Sequence, residues 1–485
     1  MYCVDEAELL MFNLKNASYI GSFINVDTTG NLVLLRNGYY FGDKSSTRRL
    51  HYVKNGNIIT FEQLDIKYNR PDKVLEAVGC TDTALINSYR KAYFKRIKKL
   101  GVDTSDFREG YSVPESDIQQ REQLAYEQPD DTLRLHITSA DKTYALDRFN
   151  VWVNEVPVFG QRGIRLRKLR TKTFDTVVTV RLSKGMNRIT CSVINVNGTE
   201  SYRTPLVLHY EGTPGNNTKK STLYFVGIGI DHFADKEYNL QYSTKDIRDL
   251  ALKFREKAGP GISIDTLFNE QVTVERVKAL KKKLAACNEN DRVIISYSGH
   301  GLLSKDYDYY LSTYGVDFRH PEVNGLPYEE LENLLDSIPA RMKLLLIDAC
   351  HSGEVDKEES FTMARTADSL GLSAAKGSKL LVEAGEQQVG LTNSFELMQS
   401  LFVNVGKSTG ATIISAAAGN QFALERGDLK NGVFTYVILQ AMNTDTPLRI
   451  SELKKQVSER VEQITRGLQK PTFRNETQET DWELW

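Results

Sequence analysis

The stretch Lys343-Leu-Leu-Leu-Ile-Asp-Ala-Cys-His-Ser-Gly353 is the strongest indication of the fold of this chain. It begins with an apolar run, Leu344 to Ile347, that is typical of a buried β-strand, and it ends in small polar residues that favour an exposed turn. Sites in open α/β sheets gather where parallel strands end. Cys350 directly follows such a strand and is therefore a candidate nucleophile.

A second stretch, Arg292-Val-Ile-Ile-Ser-Tyr-Ser-Gly-His300-Gly301, also joins an apolar strand to a glycine-containing turn. Its His300 precedes Cys350 by 50 positions. Neighbouring strands lie about 4.8 Å apart, so these two turns would meet if the strands are neighbours. A thiol needs a base or an electropositive neighbour to become a good nucleophile, and an imidazole supplies both. The alternative is that both residues are ordinary members of the core.

The two motifs, Tyr-Ser-Gly-His-Gly at 297–301 and Asp-Ala-Cys-His-Ser-Gly at 348–353, together resemble the signature of caspase-like cysteine peptidases. The second motif resembles that of metacaspases and their bacterial relatives, whereas animal caspases carry Gln-Ala-Cys. The resemblance covers roughly residues 220 to 485. It implies an α/β caspase-like domain that acts on protein or peptide substrates, and we expect no cofactor.

The expected reaction is hydrolysis of a peptide bond. The Cys350 sulfur attacks the carbonyl, His300 assists proton transfer to the leaving amine, and the thioacyl enzyme is then hydrolysed. The tetrahedral oxyanion needs fixed donors, and the resemblance implies that these are the backbone N–H groups of Gly301 and Cys350. His351 would point to the opposite side of an extended chain, so no catalytic role is expected for it.

Asp348 is a candidate substrate-binding residue because its side chain leaves the strand on the same side as that of Cys350. In metacaspase-like enzymes this aspartate lines the first specificity pocket, where Arg or Lys is preferred. A carboxylate can bind a guanidinium through two parallel hydrogen bonds. The alternative is an aspartate that only caps a helix or turn.

A later stretch also resembles the pocket lining of metacaspases, through Ser415, Gln421 and the acidic Glu425. The sequence departs from that pattern at Gly419-Asn420, where those enzymes often carry aspartate. Asp246 resembles an early acidic position of the family, and no role is assigned to it. The predicted substrate-binding residues are therefore Asp348, Ser415 and Gln421.

Composition excludes several classes of protein. The 485 residues carry a net charge of −1 and are 40% hydrophobic and 26% charged, which is ordinary for a globular chain and gives no case for nucleic acid. No run of 18 apolar residues indicates a membrane span, and the N-terminus lacks the pattern of a signal peptide. Asp306 and Asp308 are too few for a calcium site, so no metal is predicted. Five scattered cysteines favour a reducing compartment, the cytoplasm, and they are Cys3, Cys80, Cys191, Cys287 and Cys350.

Three regions are predicted along the chain. Residues 1–128 form a β-rich and then helical region that ends in an acidic linker, and residues 129–212 have the short alternating strands of an immunoglobulin-like β-sandwich. Residues 213–485 alternate strands and helices, which predicts a mostly parallel sheet flanked by helices. Among these elements we expect helices over 273–286 and 328–335 and a strand at 308–312. The basic runs at 95–99 and 165–172 are interpreted as solvated faces, with polyanion or ligand patches as the alternative.

The first two regions carry no catalytic constellation, so we expect them to bind a regulatory protein partner or to restrain the peptidase. Residues 354–410 form a long polar insertion with Arg365, Lys376 and Lys379 as basic sites, and connections of this length are usually functional. Self-cleavage there is predicted, and a surface excursion without a control role is the alternative. Two other functions stay open, namely a catalytically weak scaffold and a self-processing regulatory switch.

Overall fold

The computed structural model of the protein describes most of the chain, namely residues 2–5, 8–26, 30–54, 57–212, 221–304, 308–349, 372–373, 409–417, 423–475 and 481–485. Cys350 and Gln421 lie outside these ranges, as does nearly all of the insertion 354–410. No helix of the described part is long and apolar enough to cross a membrane.

The N-terminal unit, residues 2–106, is an antiparallel sheet followed by helices. The sheet has the order β1-β2-β3-β4-β5, and a separate hairpin pairs β6 with β7. Its elements are β1 Tyr2–Asp5, β2 Glu8–Phe12, β3 Tyr19–Asn25, β4 Asn31–Leu35, β5 Tyr40–Gly42, α1 Lys44–Arg49, β6 His51–Lys54, β7 Asn57–Thr60, α2 Phe61–Tyr68, α3 Pro71–Ala77 and α4 Thr83–Leu100.

The longest helix of this unit, α4, has clear signals at both ends. The Asp82 side chain accepts a hydrogen bond from the Leu85 N–H at its N-terminus, and Gly101 adopts the left-handed conformation at its C-terminus (φ 64°). The helix from Thr83 to Leu100 therefore has the bounds that its capping residues dictate.

The two-sheet unit, residues 115–210, contains two antiparallel sheets. One has the order β11-β10-β14-β15 with β12 beside β10, and the other has the order β13-β9-β8. Along β9, buried Leu133, Leu135 and Ile137 alternate with exposed residues, and they share one core with residues of the second sheet. The strands are β8 Glu115–Ile118, β9 Thr132–Ala140, β10 Leu146–Val153, β11 Val156–Pro157, β12 Ile164–Arg165, β13 Thr173–Arg181, β14 Gly185–Asn195 and β15 Leu206–Tyr210.

One strand of the two-sheet unit lies where the sequence predicted an acidic linker. Ser116 and Ile118 of β8 are buried while Glu115 and Asp117 are exposed, so only one face of the strand packs on the core. The sequence predicted a linker and not a strand here, because the alternating pattern covers only four residues and two of them are acidic.

The C-terminal unit, residues 221–485, is built on a six-stranded sheet of order β17-β16-β18-β22-β24-β27. The first five strands are parallel, and β27 runs antiparallel to β24 at the edge. The strands of this unit are β16 Leu223–Gly229, β17 Ile262–Phe268, β18 Arg292–Ser298, β19 Gly301–Leu303, β20 Tyr309–Leu311, β21 Leu326–Pro327, β22 Met342–Asp348, β23 Leu372–Ser373, β24 Thr412–Ser415, β25 Glu425–Arg426, β26 Asn431–Gly432 and β27 Thr472–Asn475.

Helices cover both faces of this sheet, as predicted, because every central strand is buried on both sides. Helices α5, α9 and α10 pack on the face that carries Leu344 and Leu346, and α6, α7 and α8 pack on the face that carries Leu345 and Ile347. The helices are α5 Ser243–Ala258, α6 Val274–Ala279, α7 Lys281–Leu284, α8 Tyr328–Leu335, α9 Val433–Ala441 and α10 Ile450–Thr465.

Three details of this unit differ from the sequence prediction. The helix predicted over 273–286 divides at Leu280, where i→i−3 hydrogen bonds join Leu280 to Val277 and Lys283 to Leu280. The strand predicted at 308–312 belongs to a small antiparallel sheet, β19-β20-β21, outside the main sheet. The edge strand β27 was not predicted, because its four residues contain no apolar run.

The basic run of α4 is an interface between units and not a solvated face. Lys99 forms an ion pair with the buried Glu332 of α8, and Lys95 forms one with Asp308 beside β20. Arg96 pairs with Asp65 inside the N-terminal unit. The basic spacing that looked like a solvated helix surface therefore attaches this helix to the C-terminal unit.

The second basic run is also partly engaged. Arg167 contacts Asp103, Asp106 and Asp147 with N···O distances of 3.1, 2.5 and 3.2 Å. Arg148 donates hydrogen bonds to the carbonyls at the C-terminal end of α4, where cations are favoured by the helix dipole. Arginines of the two-sheet unit therefore hold both α4 and the segment that follows it.

The two-sheet unit contacts the C-terminal unit at the edge where the parallel strands begin. Arg341, just before β22, donates to the Arg181 carbonyl and to Ser183 Oγ (2.5 Å). The Lys184 N–H donates to Asn290 Oδ1 (3.3 Å), just before β18. This contact therefore lies at the opposite end of the sheet from His300 and from the end of β22 that leads to Cys350.

We predict that Glu332→Gln lowers the free energy of unfolding by about 2 kcal/mol at neutral pH, the usual contribution of hydrogen bonds to a charged group. Lys99 and Arg474 both pair with this carboxylate. Glu330→Gln on the same helix is the control, because its pair with Lys278 is more exposed and should contribute less than about 1 kcal/mol. Equal losses in denaturant unfolding would contradict this.

The pH dependence of the same variant gives a second check. Burial would raise the pKa of Glu332, but the charges of Lys99 and Arg474 outweigh burial and hold it below its usual value. The carboxylate thus contributes stability above the pKa of the unfolded chain and loses it as the pH falls through the folded value. The gap in melting temperature between wild type and Glu332→Gln should therefore close in acid.

Candidate active site

The ends of β18 and β22 lie side by side in register. Ser298 pairs with Asp348 in this parallel ladder, and the Gly299 N–H donates to the Asp348 carbonyl (3.2 Å). His300 follows immediately on one strand, and β22 ends two residues before Cys350 on the other. The two sequence motifs therefore meet at the carboxyl edge of the sheet, although Cys350 itself lies outside the described residues.

The His300 ring is held in a defined orientation. Its Nε2 lies 2.8 Å from the Tyr238 carbonyl, and a carbonyl only accepts, so Nε2 carries the proton. In the neutral ring Nδ1 then carries the lone pair. The ring is buried at 4% exposure, with the rings of Phe233 and Phe318 at centroid distances of 5.3 and 5.4 Å. This setting fixes which nitrogen is able to accept a proton.

Gly301 begins β19, which pairs with β20 in an antiparallel hairpin. The Ser312 N–H donates to the His300 carbonyl and the Ser304 N–H donates to the Asp308 carbonyl, so the hydrogen-bonded pairs fall at even positions of β19. Gly301 is opposite Leu311 at a non-hydrogen-bonded pair. The Gly301 N–H therefore points away from β20.

Two buried carboxylates lie on one face of the sheet at this edge. Asp348 Oδ2 accepts a hydrogen bond from Thr435 Oγ1 (2.8 Å) on α9. Asp246 of α5 accepts hydrogen bonds from Ser298 Oγ (3.2 Å) and the Gly432 N–H (3.0 Å). Because Ser298 is the register partner of Asp348, the two carboxylates flank neighbouring strand ends.

The comparisons with known proteins decide the family. The model of the caspase domain matches residues 226–481, which is more than half of the chain. This chain belongs to the caspase family. Caspase domains are those of cysteine-type peptidases, which are hydrolases of protein substrates.

The chain is similar to a number of solved structures, and a search of curated proteins finds no match. The protein GSU0716 from Geobacter sulfurreducens is 19% identical with a TM-score of 0.37, and the alignment covers 53% of this chain and 95% of that one. Caspase-1 from Spodoptera frugiperda is 12% identical with a TM-score of 0.33, and the alignment covers 54% and 90%. The family membership rests on the matched residues 226–481.

The structure describes two predicted substrate-binding residues of this caspase domain, Ser415 and Asp348. Ser415 is the register partner of Ile347, so its side chain lies on the other face of the sheet from that of Asp348. The substrate-binding roles of Asp348 and Ser415 stay predictions, and the β alternation places the two side chains on opposite faces of the sheet. Gln421 lies outside the described residues, and Glu425 is buried and accepts from the N–H groups of Gln241 and Tyr242.

Two further residues belong near this edge, and the sequence reasoning did not assign them. The sequence assigns no role to Asp246, because its hydrogen bond to Ser298 of the Tyr-Ser-Gly-His-Gly motif forms only in the folded chain. Ser243 lies one helical turn before Asp246, and its buried hydroxyl has no hydrogen-bond partner within the described residues. Both side chains are polar, buried and close to the end of β18.

Within the described residues, no group of three or more His, Cys, Asp or Glu side chains could hold a metal ion. Asp308 is occupied by its ion pair with Lys95, and Asp306 is outside the described residues. The chemistry of the described site is that of a histidine, two carboxylates and backbone amides.

Proposed function

We propose that this protein is a cysteine endopeptidase in which Cys350 is the nucleophile and His300 the base. The observation that carries the proposal is the in-register parallel pairing of β18 with β22, because it brings the turn of His300 beside the strand end that leads to Cys350. Burial of the imidazole and its bond to the Tyr238 carbonyl support the role of a general base with a defined tautomer.

In this mechanism Nδ1 of His300 accepts the thiol proton as the Cys350 sulfur attacks the scissile carbonyl carbon. The backbone N–H groups of Gly301 and Cys350 stabilise the oxyanion, and the direction of the Gly301 N–H away from β20 supports its part. The imidazolium then returns the proton to the leaving amine, which breaks the C–N bond. Water hydrolyses the thioester with His300 as base and releases the free thiol.

We predict that Cys350→Ala abolishes cleavage of a peptide library and that His300→Ala lowers kcat/KM by roughly 10²-fold or more, the usual contribution of a general base. His351→Ala is the matched control, because it adjoins the nucleophile and has no role in the mechanism. Circular dichroism should show that all three variants are folded. Residual turnover by folded Cys350→Ala would remove the proposal.

The preferred residue before the scissile bond is proposed to be Arg or Lys. Asp348 and Asp246 are buried carboxylates on one face of the sheet, and Ser298 links them. A buried negative charge needs a cationic or donor-rich partner, and a guanidinium supplies five N–H donors in a planar fork. The Ser243 hydroxyl, which has no hydrogen-bond partner within the described residues, lies one helical turn before Asp246 and adds an acceptor.

Asp348→Asn should lower kcat/KM for substrates with Arg or Lys by roughly 10- to 100-fold, since a hydrogen bond to a charged group contributes about 1.5–3 kcal/mol. Alkylation of Cys350 by iodoacetamide should be retained. Asp249→Asn, on the same helix as Asp246 but paired with Lys245, is the control for a general charge effect. Efficient wild-type cleavage after Asp, with none after Arg or Lys, would show the specificity assignment to be wrong.

Self-processing within residues 354–410 is proposed as a regulatory step, supported by the basic residues of that insertion. Aged wild-type protein should be cut after Arg365, Lys376 or Lys379, and Cys350→Ala should stay intact. N-terminal sequencing locates the cut, and a variant with all three basic residues changed to Gln should resist it. A wild-type chain that stays whole while it hydrolyses a peptide substrate would exclude this step.

The remaining parts of the chain are proposed to be accessory. We infer divisions near residues 114 and 212, the first of them earlier than residue 128 because β8 pairs with β9, and the two sheets of the second unit support an immunoglobulin-like β-sandwich. Binding of a regulatory protein by these units is proposed because α4 contacts the catalytic unit directly. A metacaspase-like bacterial enzyme of the cytoplasm fits the Asp-Ala-Cys-His-Ser-Gly motif and the free Cys80, Cys191 and Cys287.

A further inference from the structure

A closed ring of hydrogen bonds surrounds the backbone of His300. The His300 N–H donates to Ser312 Oγ (3.1 Å), Ser312 Oγ lies 2.8 Å from Tyr297 Oη, and Tyr297 Oη lies 3.1 Å from the His300 carbonyl. Tyr297 and Ser312 are both fully buried. The ring joins the end of β18 to the residue that follows β20.

Donor and acceptor counting gives this ring one direction. The carbonyls of His300 and Ser312 can only accept, so the single proton of Tyr297 is directed toward them, and the Ser312 hydroxyl, which accepts from the His300 N–H, donates its own proton to Tyr297 Oη. The one proton of Tyr297 is shared between the carbonyls of His300 (3.1 Å) and Ser312 (2.9 Å) in a bifurcated hydrogen bond. Each bond in such a chain polarises the next, and burial strengthens the effect.

The surrounding structure is built around the Tyr297 hydroxyl. A Cβ atom at residue 299 would lie 2.6 Å from Tyr297 Oη and 2.6 Å from a methyl of Ile230, so only glycine fits there. Burial raises the pKa of Tyr297, which keeps the hydroxyl protonated as a donor. The Gly299 N–H in turn donates to the Asp348 carbonyl, which ties the ring to the strand before Cys350.

We propose that Tyr297 and Ser312 are positioning residues that act as one unit to fix the backbone of His300, and with it the imidazole, relative to β22. This inference rests on the proposed function for its kinetic consequence. The ring nitrogen Nε2 is anchored to the Tyr238 carbonyl on a different segment, so the imidazole keeps its place only if its own backbone is also fixed. Misplacement by about 1 Å costs up to 10²-fold in rate.

The test compares Tyr297→Phe, Ser312→Ala and the double variant with wild type, and it uses the full chain. Tyr224→Phe is the matched control, because Tyr224 lies near the start of β16, far along the sheet from the site. We expect each single variant to lower kcat for an Arg-containing peptide by roughly 10- to 100-fold, with KM changed less than about twofold. The double variant should be no slower than the worse single variant, because residues of one unit are not additive.

Losses in the two single variants that multiply in the double variant would overturn the proposal. So would a wild-type kcat in Tyr297→Phe, even if its melting temperature falls, since that result indicates a structural role alone. If Ser312→Ala does not fold, Ser312→Cys retains a weak donor and acceptor at the same position and takes its place in the cycle.

A spectroscopic measurement separates this proposal from the proposed function. In protein labelled with ¹⁵N-histidine, the His300 ring signals, identified by their loss in His300→Gln, should show the Nε2-protonated tautomer in wild type and tautomer exchange in Tyr297→Phe. That difference, in a chain without Cys350-dependent cleavage, would support the ring while removing the peptidase. Identical ring signals in an active chain would overturn the ring and leave the peptidase standing.

Discussion

The parallel pairing of β18 with β22 is the constraint on which the site depends. Both strands are buried on both faces, so their register is set by packing along their whole length and not by the polar residues at their ends. A slip by one residue would move Ser298 to the other face and break the hydrogen bond from Gly299 to the Asp348 carbonyl. The apolar core therefore positions the chemistry at the edge of the sheet.

The polar groups at that edge fall into two sets, according to the face of the sheet on which their side chains lie. Ser298 and Asp348 lie on the face of α5 and α9, where Asp246 and Thr435 bind them, while Tyr297 lies on the opposite face and reaches the His300 backbone. At the end of β18, Ser298 therefore contacts the carboxylate of Asp246, and the residue before it, Tyr297, contacts the backbone of His300. The alternation of side chains in a β-strand is sufficient to produce this separation.

Among the described residues, the N-terminal unit and the two-sheet unit contact the C-terminal unit through charged side chains, and no apolar core cluster is shared with it. Lys99, Glu332 and Arg474 connect α4, α8 and β27, and Arg341 is bound by backbone and side-chain oxygens of the two-sheet unit. Burial lowers the pKa of Arg341 to about 10, which still leaves it protonated at neutral pH. These charged contacts fix the position of each unit against the C-terminal unit.

Local patterns in the sequence determined the strands that precede His300 and Cys350, the helix over 328–335 and the bounds of α4, because each depends on apolar periodicity or on capping residues. Only the tertiary structure decided how distant polar residues combine. The partnership of Asp246 with Ser298, the position of Ser415 across the sheet from Asp348, and the docking role of Lys95 and Lys99 depend on strand order and register, which no local pattern encodes. A charged helix face has the same sequence pattern whether water or another unit covers it, and the packing of the whole chain makes that choice.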